Sequence, residues 1–334
     1  MESHLVTGAT GLVGMHIVLD LLNQNKKVCA TFTKNSNRSI IKHVFNHYGF
    51  SNYYDKVKWI KMDLEDVTEV YQAIKGVDFV YHSGAIVSFN KSDYEQMRRI
   101  NIEGTTNIVN ACLEHKIKKL AFISSVASIG RDGKGKYSEK NKWNSGKENS
   151  FYALTKYKAE NEVWRGIEEG LNAVITNPGI IIGPSHWGRS STTIFKQIHK
   201  GLSYFPEGKN GFIDVRDVAR ATIALMDSKI NRERFILVGE NLPYKSVFDD
   251  IALCLNKPKP YKKATKSLLE IAWRLEAIRC FITNKKQSIT KETARTASQI
   301  NIYENQKIIN ALNYNFKTIK EAISNTSKFL LKVK

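Results

Sequence analysis

The sequence predicts an α/β fold, a doubly wound parallel sheet followed by a smaller, discontinuous second lobe. Three observations predict it. Short β-rich runs alternate with helical stretches through the first half of the chain. A glycine triplet joins the first such run to the first helical stretch. Beyond Pro184 the alternation breaks down.

Ser3–Val6 is long enough for one short strand, and Val13, Ile17, Val18, Leu21 and Leu22 then recur at helical spacing. Between them runs Thr7-Gly-Ala-Thr-Gly-Leu-Val-Gly14, which puts Gly8, Gly11 and Gly14 in a strand-to-helix turn. A Cβ there would block the tight turn, and the unpaired N–H groups of a helix start favour a pyrophosphate. Taken alone, the triplet is also the pattern of an ordinary glycine-rich turn.

The next β-rich runs are Val28–Thr33, Val57–Ile60, Val77–Tyr81 and Leu120–Ser124, and the clearest helical stretch between them is Gln96–Glu114. Arg131–Asn149, polar and with three glycines, reads as a surface loop. Ser150 then fits an N-cap, with Tyr152, Lys156, Ala159 and Val163 on one face of a helix ending near Gly170. Ala173–Thr176 is a strand that runs into Pro178-Gly179. Phe212–Met226 and Phe235–Val238 read as returns to the sheet layer. We therefore expect a dinucleotide-binding Rossmann-type domain over 1–184, rejoined by 212–240, and a substrate-binding lobe over 185–211 and 241–334.

At 334 residues the chain is long enough for one large core or two modest ones. No run approaches the ~18 apolar residues of a membrane span, and the first strand follows Met1 directly, leaving no room for a signal peptide. Cys29, Cys112, Cys254 and Cys280 are far apart, as expected of reduced thiols in a cytoplasmic protein. The formal charge is +19, and residues 241–334 carry 18 Lys and Arg against 7 Asp and Glu. The lysines are scattered and no nucleic-acid module is visible, so a solvated surface is the first reading and an anionic ligand the second.

Tyr152-Ala-Leu-Thr-Lys156 places a phenol and an ammonium one helical turn apart on one face. Hydride arriving at a carbonyl carbon makes an alkoxide that must be protonated as it forms. A phenol can donate that proton, and a nearby positive charge stabilises its phenolate. Ser124-Ser125 end a strand one loop earlier, where ligands of open α/β sheets sit. Each feature alone also has a plain reading, as an exposed helix pair or a strand-ending serine pair.

Together the motifs resemble the extended short-chain dehydrogenase/reductases, the NAD-dependent epimerase/dehydratase family. The resemblance rests on the glycine turn, Asp63-Leu64, Asp78-Phe-Val-Tyr-His-Ser-Gly-Ala85, Asn101-Ile-Glu-Gly-Thr105, Ser124-Ser125, Tyr152-x-x-x-Lys156 and Pro178-Gly-Ile-Ile-Ile-Gly-Pro184, in that order over about residues 3–240. Within that group the chain looks most like the dihydroflavonol reductase and 3β-hydroxysteroid dehydrogenase branch. The resemblance implies that Tyr152 is the acid/base, that Lys156 lowers its pKa and holds a ribose, and that Ser125, rather than Ser124, is the catalytic serine. It implies a pyrophosphate turn of Gly8, Thr10, Gly11, Leu12, Val13 and Gly14, and adenine contacts from Asp63 and Leu64. It puts His82 and Ala85 beside the ribose and phosphates, and Pro178, Ile180 and Ile181 over the nicotinamide. Relatives commonly pair through the tyrosine helix, which leaves a homodimer open.

No Asp or Glu stands between Asp20 and Asp55, so the usual acceptor for an NAD ribose 2′-hydroxyl is missing after the second strand. Thr33, Lys34 and Arg38 instead suit a 2′-phosphate, so NADP(H) is expected in preference to NAD(H). The expected activity is NAD(P)-dependent interconversion of a ketone or aldehyde and an alcohol. A sugar-nucleotide epimerase needs the same Ser/Tyr/Lys set with a retained NAD, and a non-catalytic NADP-sensing protein is a third reading that Tyr152 argues against. Trp187 and Phe205 fall where relatives line their substrate pockets, and plain packing explains both almost as well. Leu268–Ile282 carries Leu268, Ile271, Ala272, Leu275, Ile278 and Ile282 at helical spacing. That stripe reads first as a lid helix packed on the second lobe and second as a membrane-surface helix, a reading weakened by Glu270 and Glu276.

Overall fold

The computed structural model describes residues 2–131, 133, 135–146, 149–283 and 287–333. Of the loop predicted over 131–149, Asp132, Lys134, Lys147 and Glu148 lie outside the described residues. The strands are β1 Ser3–Thr7, β2 Lys27–Phe32, β3 Lys58–Lys61, β4 Phe79–His82, β5 Lys119–Ile123, β6 Lys136–Tyr137, β7 Ala173–Pro178, β8 Ile180–Ile182, β9 Tyr204–Pro206, β10 Lys209–Asp214, β11 Glu233–Leu237, β12 Glu240–Pro243, β13 Lys262–Ala264 and β14 Ile302–Tyr303. The helices are α1 Leu12–Asn23, α2 Ser39–His47, α3 Val67–Ile74, α4 Tyr94–Met97, α5 Gly104–Glu114, α6 Phe151–Glu168, α7 Thr192–His199, α8 Val215–Asp227, α9 Tyr244–Cys254, α10 Lys266–Thr283, α11 Lys291–Ser298, α12 Gln306–Leu312 and α13 Ile319–Lys332.

Among the described residues one all-parallel sheet runs β3-β2-β1-β4-β5-β7-β11. Its central strands are buried on both faces, as a sheet covered by helices on both sides requires. Strand order reverses between β1 and β4, and the crevice beyond their carboxyl ends is where such sheets bind ligands. The predicted strands stand within a residue or two of their expected ends.

Two expectations change. The helix expected over 96–114 is interrupted by a π-turn at Arg98–Glu103 between α4 and α5. The wider turn holds Asn101, whose side chain accepts from the Ile86 amide at 2.7 Å and donates to the Ile86 carbonyl at 2.9 Å and to Thr155 Oγ1 at 3.1 Å. The second change is at 212–240. β11 does return to the main sheet, pairing with β7, but β10 does not: it lies between β8 and β12 in a separate three-stranded sheet. The reason is competition for one strand edge. β11 occupies the edge of β7, and the chain leaves the sheet at Gly179, where a Cβ would meet the Gly211 carbonyl oxygen at 2.4 Å.

The boundary expected at Pro184 is not a core boundary. Phe195, Val247, Ile251, Ile319, Ile323 and Phe329 belong to the same continuous apolar core as Met15, Ile17 and Phe45. Polar contacts cross it as well, with Asn325 joined to His47 at 2.9 Å and to the Tyr48 hydroxyl at 2.8 Å. Cys29, Cys112, Cys254 and Cys280 form no disulfide with one another.

Candidate active site

The glycine turn sits at the point where strand order reverses. Gly8 has φ +63°, and a Cβ on it would lie 2.6 Å from the backbone of Gly84, in the loop after β4. On Gly14 it would meet the Gly8 carbonyl oxygen at 2.4 Å. Helix α1 starts from Gly11 without a side-chain cap and has no acid in its first turn. The backbone at the positive end of the helix is thus open to an anion. Leu12 and Val13 are half-buried beneath it.

His82, expected beside the ribose and phosphates, has its side chain inside the protein. Nδ1 meets Thr7 Oγ1 at 2.6 Å and Nε2 meets Thr105 Oγ1 at 3.1 Å. Thr105 already donates to the Asn101 carbonyl at 2.7 Å, so Nε2 carries the proton and Nδ1 accepts from Thr7. Burial, with a smaller contribution from the Lys156 charge, holds the imidazole neutral by pushing it down to about 3. His82 therefore ties β1 and β4 to α5 from below, while the loop beyond it exposes Ala85.

At the end of β2, Thr33 donates to Ser36 Oγ through its amide at 3.0 Å, and Thr10 of the glycine turn donates to the same hydroxyl at 3.3 Å. Lys34 is exposed. The Arg38 guanidinium lies 4.3 Å over the Phe32 ring and 5.8 Å from the Trp59 ring centre, a stacking that fixes its plane. Thr33, Lys34, Met62, Asp63 and Val67 line one depression. Asp63 is exposed there, whereas Leu64 is buried and fills the space left by Gly84 and Gly104.

The reacting centre is built by the end of β5 and the start of α6. Ser150 caps α6 through the Ala153 amide at 3.0 Å, which fixes the first turn carrying Tyr152. Ser125 Oγ accepts from the Ala127 amide at 3.1 Å at the end of β5, on the side of the Tyr152 phenol. Burial pushes the Tyr152 phenol up to about 12, and the nearby Ser125 hydroxyl opposes that rise. Lys156 is fully enclosed, donates from Nζ to the Ile123 carbonyl at 2.8 Å and lies 4.4 Å over the Phe122 ring. Burial pushes it down to about 7, opposed by the Glu160 charge. Here the interaction that lowers the phenol is the serine hydroxyl, and the ammonium expected in that role is engaged by the end of β5.

Beneath the serines lies a network that the sequence reading missed. Glu160 Oε2 accepts from Ser124, from Ser128 at 2.7 Å each and from Asn177 Nδ2 at 2.9 Å. Glu160 Oε1 pairs with Arg234 Nη1 at 3.2 Å. Arg234 also donates to the Asn141 carbonyl at 2.9 Å and to the Glu139 carbonyl. Glu160 follows Lys156 by one turn, so the Tyr152–Lys156 stripe extended one step would have found it. Arg234 has no local signal.

Above the centre, Phe89 meets the Tyr152 ring edge-on at 6.0 Å between centroids. Pro178 is buried, and Ile180 and Ile181 are half-buried on β8. Phe205 is not at the site. It is buried in the main core under Lys245, because alternation along β9 turns Tyr204 out and Phe205 in. Trp187 is half-buried and packs on His199 at 5.6 Å. The segment closing over α6 comes instead from α11. Glu292 Oε1 accepts from Tyr94 Oη at 3.0 Å and from the Phe151 amide at 3.1 Å, next to Tyr152. Among the described residues there is no cluster of His, Cys, Asp or Glu that could hold a metal ion, and no helix is long and apolar enough to cross a membrane.

Residues 4–239 match the model of the NAD dependent epimerase/dehydratase family. A putative dihydroflavonol 4-reductase of Synechocystis sp. is 27% identical over 335 residues, covering 97% of this chain and 93% of that protein. Sterol demethylase protein B of Methylococcus capsulatus is 26% identical over 258 residues, 77% of this chain and 75% of that protein. The crystal structure of gox2253 superposes with a TM-score of 0.82 at 25% identity, covering 100% of this chain and 99% of that one.

Proposed function

The chain belongs to the NAD dependent epimerase/dehydratase family, and within it we propose an oxidoreductase that interconverts an apolar ketone or aldehyde and its alcohol, with NADP(H) preferred over NAD(H). The observation that carries the reading is the placement of Tyr152, in the first turn of α6, beside Ser125 at the end of β5, with Lys156 enclosed one helical turn further on.

The glycine turn fits a dinucleotide because a side chain on Gly8 or Gly14 would fill the cradle that the pyrophosphate needs. Gly8, Thr10, Gly11, Leu12, Val13 and Gly14 would hold the pyrophosphate, and Asp63 and Leu64 the adenine. Ala85 would flank the ribose and phosphates, with His82 holding the strands under it, and Pro178, Ile180 and Ile181 would cover the nicotinamide. Lys34 and the stacked Arg38 would pair with a 2′-phosphate, with Thr33 beside them. Bound there, the cofactor supplies or accepts the hydride.

The protein's own part is to place the substrate oxygen and move its proton. Ser125 orients that oxygen, and Tyr152 donates to it as negative charge develops. At neutral pH the phenol, with its pKa near 12, is fully protonated and ready for the reductive direction. In its protonated form Lys156 would offset charge left on the phenolate, and its ammonium is the group that would hold the ribose. Phe89, edge-on to the Tyr152 ring, and Trp187 would form the apolar side of the substrate space, with Glu292 of α11 at its rim.

The test is cofactor consumption against a panel of sterol-like, flavonoid-like, sugar-nucleotide and small carbonyl compounds. An apolar carbonyl compound should be reduced with NADPH, and with NADH at a lower kcat/KM. Tyr152→Phe should lower kcat by about 100-fold or more while leaving NADPH binding, read by fluorescence titration, near the parent value. Equal use of NADH, or a Tyr152→Phe protein that loses NADPH binding instead, would overturn the reading.

A further inference from the structure

Helix α10 is apolar on two sides. Leu269, Ala272, Trp273 and Cys280 face the protein, where α11 packs, Lys291 covers Trp273 and the Ser288 amide donates to Glu276 at 3.0 Å. The stripe read from the sequence as the packing face is, apart from Ala272, the other one. Leu268, Ile271, Leu275, Ile278 and Ile282 are 38, 56, 62, 59 and 76% exposed. Their three- and four-residue spacing keeps them on one line along the helix, an outward apolar strip four turns long. Such an array on the surface marks a docking site rather than scattered exposure.

The surrounding charge says what the strip fits. From Lys257 to Lys291 there are ten Lys and Arg against two acids, Glu270 and Glu276. Both acids lie off the strip by helical spacing, and each is neutralised on its own helix: Glu270 by Arg274 and Glu276 by Arg279, at 2.7 Å each. The acids that weakened the membrane reading are thus paired and turned aside. Immediately before α10, Tyr261 is 70% exposed, and Lys262 lies 5.5 Å from its ring centre and 5.7 Å from that of Tyr204. Tyrosine rings beside lysines are the side chains that settle at the headgroup level of a bilayer. A second copy of the chain would bring two such basic surfaces together and repel.

We propose that the outer face of α10, with the lysines and tyrosines before it, docks in the plane of a membrane surface rich in anionic lipid. The helix lies on the bilayer and does not cross it. The docked face is separated from Tyr152 by the width of the α10–α11 arm, since Glu292 of α11 bonds the Phe151 amide. An apolar compound dissolved in the bilayer would therefore meet the protein beside the reacting centre.

The test uses the full chain and vesicles, and it reads partitioning rather than turnover, so its outcome is independent of the proposed reduction. Co-sedimentation with phosphatidylcholine vesicles carrying about 30 mol % phosphatidylserine should exceed that with phosphatidylcholine alone by about tenfold, and fall as salt rises. Leu275→Asp with Ile278→Asp, both at exposed positions, should cut it by a further tenfold or more without changing the thermal midpoint. Lys262→Glu with Lys266→Glu tests the charged half by the same readout should the first variant fold poorly. No vesicle binding, or binding unchanged in both variants, would overturn the proposal. So would concentration-dependent dimers, seen by sedimentation velocity, that Leu275→Asp with Ile278→Asp abolishes, because the strip would then belong to a second copy.

Discussion

The carboxyl ends of β1, β4 and β5 and the arm made of α10 and α11 both face the reacting centre, and they are held in opposite ways. At the strand ends several buried polar groups are fixed from more than one side. His82 is bonded through both ring nitrogens, Asn101 clamps both backbone groups of Ile86, and Glu160 collects four donors and an arginine under the serines. The arm touches the same centre through few polar links, chiefly Glu292 to Tyr94 and Phe151, and the Gln287 amide to Asn90 at 3.0 Å. Chemistry on a carbonyl needs reacting groups placed within a fraction of an ångström, which redundancy supplies. A segment that admits and releases substrate needs the low opening free energy that sparse contacts give.

The largest effect expected from breaking this comparison is at Lys156. An ammonium enclosed at the centre of the rigid region is costly, and its pKa near 7 against an ordinary value of 10.5 expresses that cost. Below about pH 7 it is charged in the folded and unfolded chain alike, and the cost is complete. Between about pH 7 and 10.5 the unfolded chain keeps the proton that the folded one has lost, so the folded state gains stability as pH rises through that window. Lys156→Met should abolish turnover by about 100-fold or more. It should also raise the thermal midpoint, most below pH 7 and not at all near pH 10.5, although the lost bond to Ile123 offsets part of the gain. A lower midpoint at neutral pH would mean that Lys156 stabilises the fold rather than serving the reaction at its expense.

Next in size is the Glu160–Arg234 pair. Glu160 is 2% exposed, and Arg234→Met would leave its carboxylate buried without its counter-charge. Breaking such a pair from one side costs about 3 kcal/mol. We expect that loss in a denaturant melt, with kcat down about tenfold as the Ser125 loop shifts, and with the KM for NADPH unchanged. A melt within experimental error of the parent would show that Ser124, Ser128, Asn177 and Trp164 satisfy Glu160 without the arginine.

The two regions also differ in how much of them the sequence discloses. The glycine turn is legible because its constraint is local: a side chain on Gly8 or Gly14 collides with backbone already fixed by the turn itself. Tyr152 and Lys156 are legible because helical spacing alone puts them on one face. The Glu160–Arg234 contact joins residues 74 apart in the chain, and no pattern near either one announces it. The place of β10 in a separate sheet is hidden for the same reason, since it depends on β11 taking the edge of β7. Phe205 reads as well for a pocket as for a core until the pairing of β9 with β13 settles which side it faces. On α10 the periodicity showed an apolar stripe but not its direction. Leu269, Ala272, Trp273 and Cys280 make a second stripe, and only the position of α11 decides which one is covered.

The smallest effect belongs to the arm. Glu292 stands in the first turn of α11, where a negative charge is favoured by the helix dipole. Its Oε1 accepts from the Tyr94 hydroxyl and the Phe151 amide, while Oε2 is buried without a hydrogen-bond partner among the described residues. Glu292→Gln keeps an oxygen for the two donors, removes the charge, and puts an amide group where Oε2 lacked a partner. The dipole term lost is about 0.5 kcal/mol, and each of the two hydrogen bonds changes from charge-assisted to neutral. The sum should loosen the arm without touching Tyr152 or Ser125, so substrate KM should rise about threefold with kcat unchanged. Faster hydrogen exchange should accompany it at the Phe151 amide. A fall in kcat with KM unchanged would place Glu292 with the rigid strand ends instead, and the contrast between the two regions would fail at the contact where they meet.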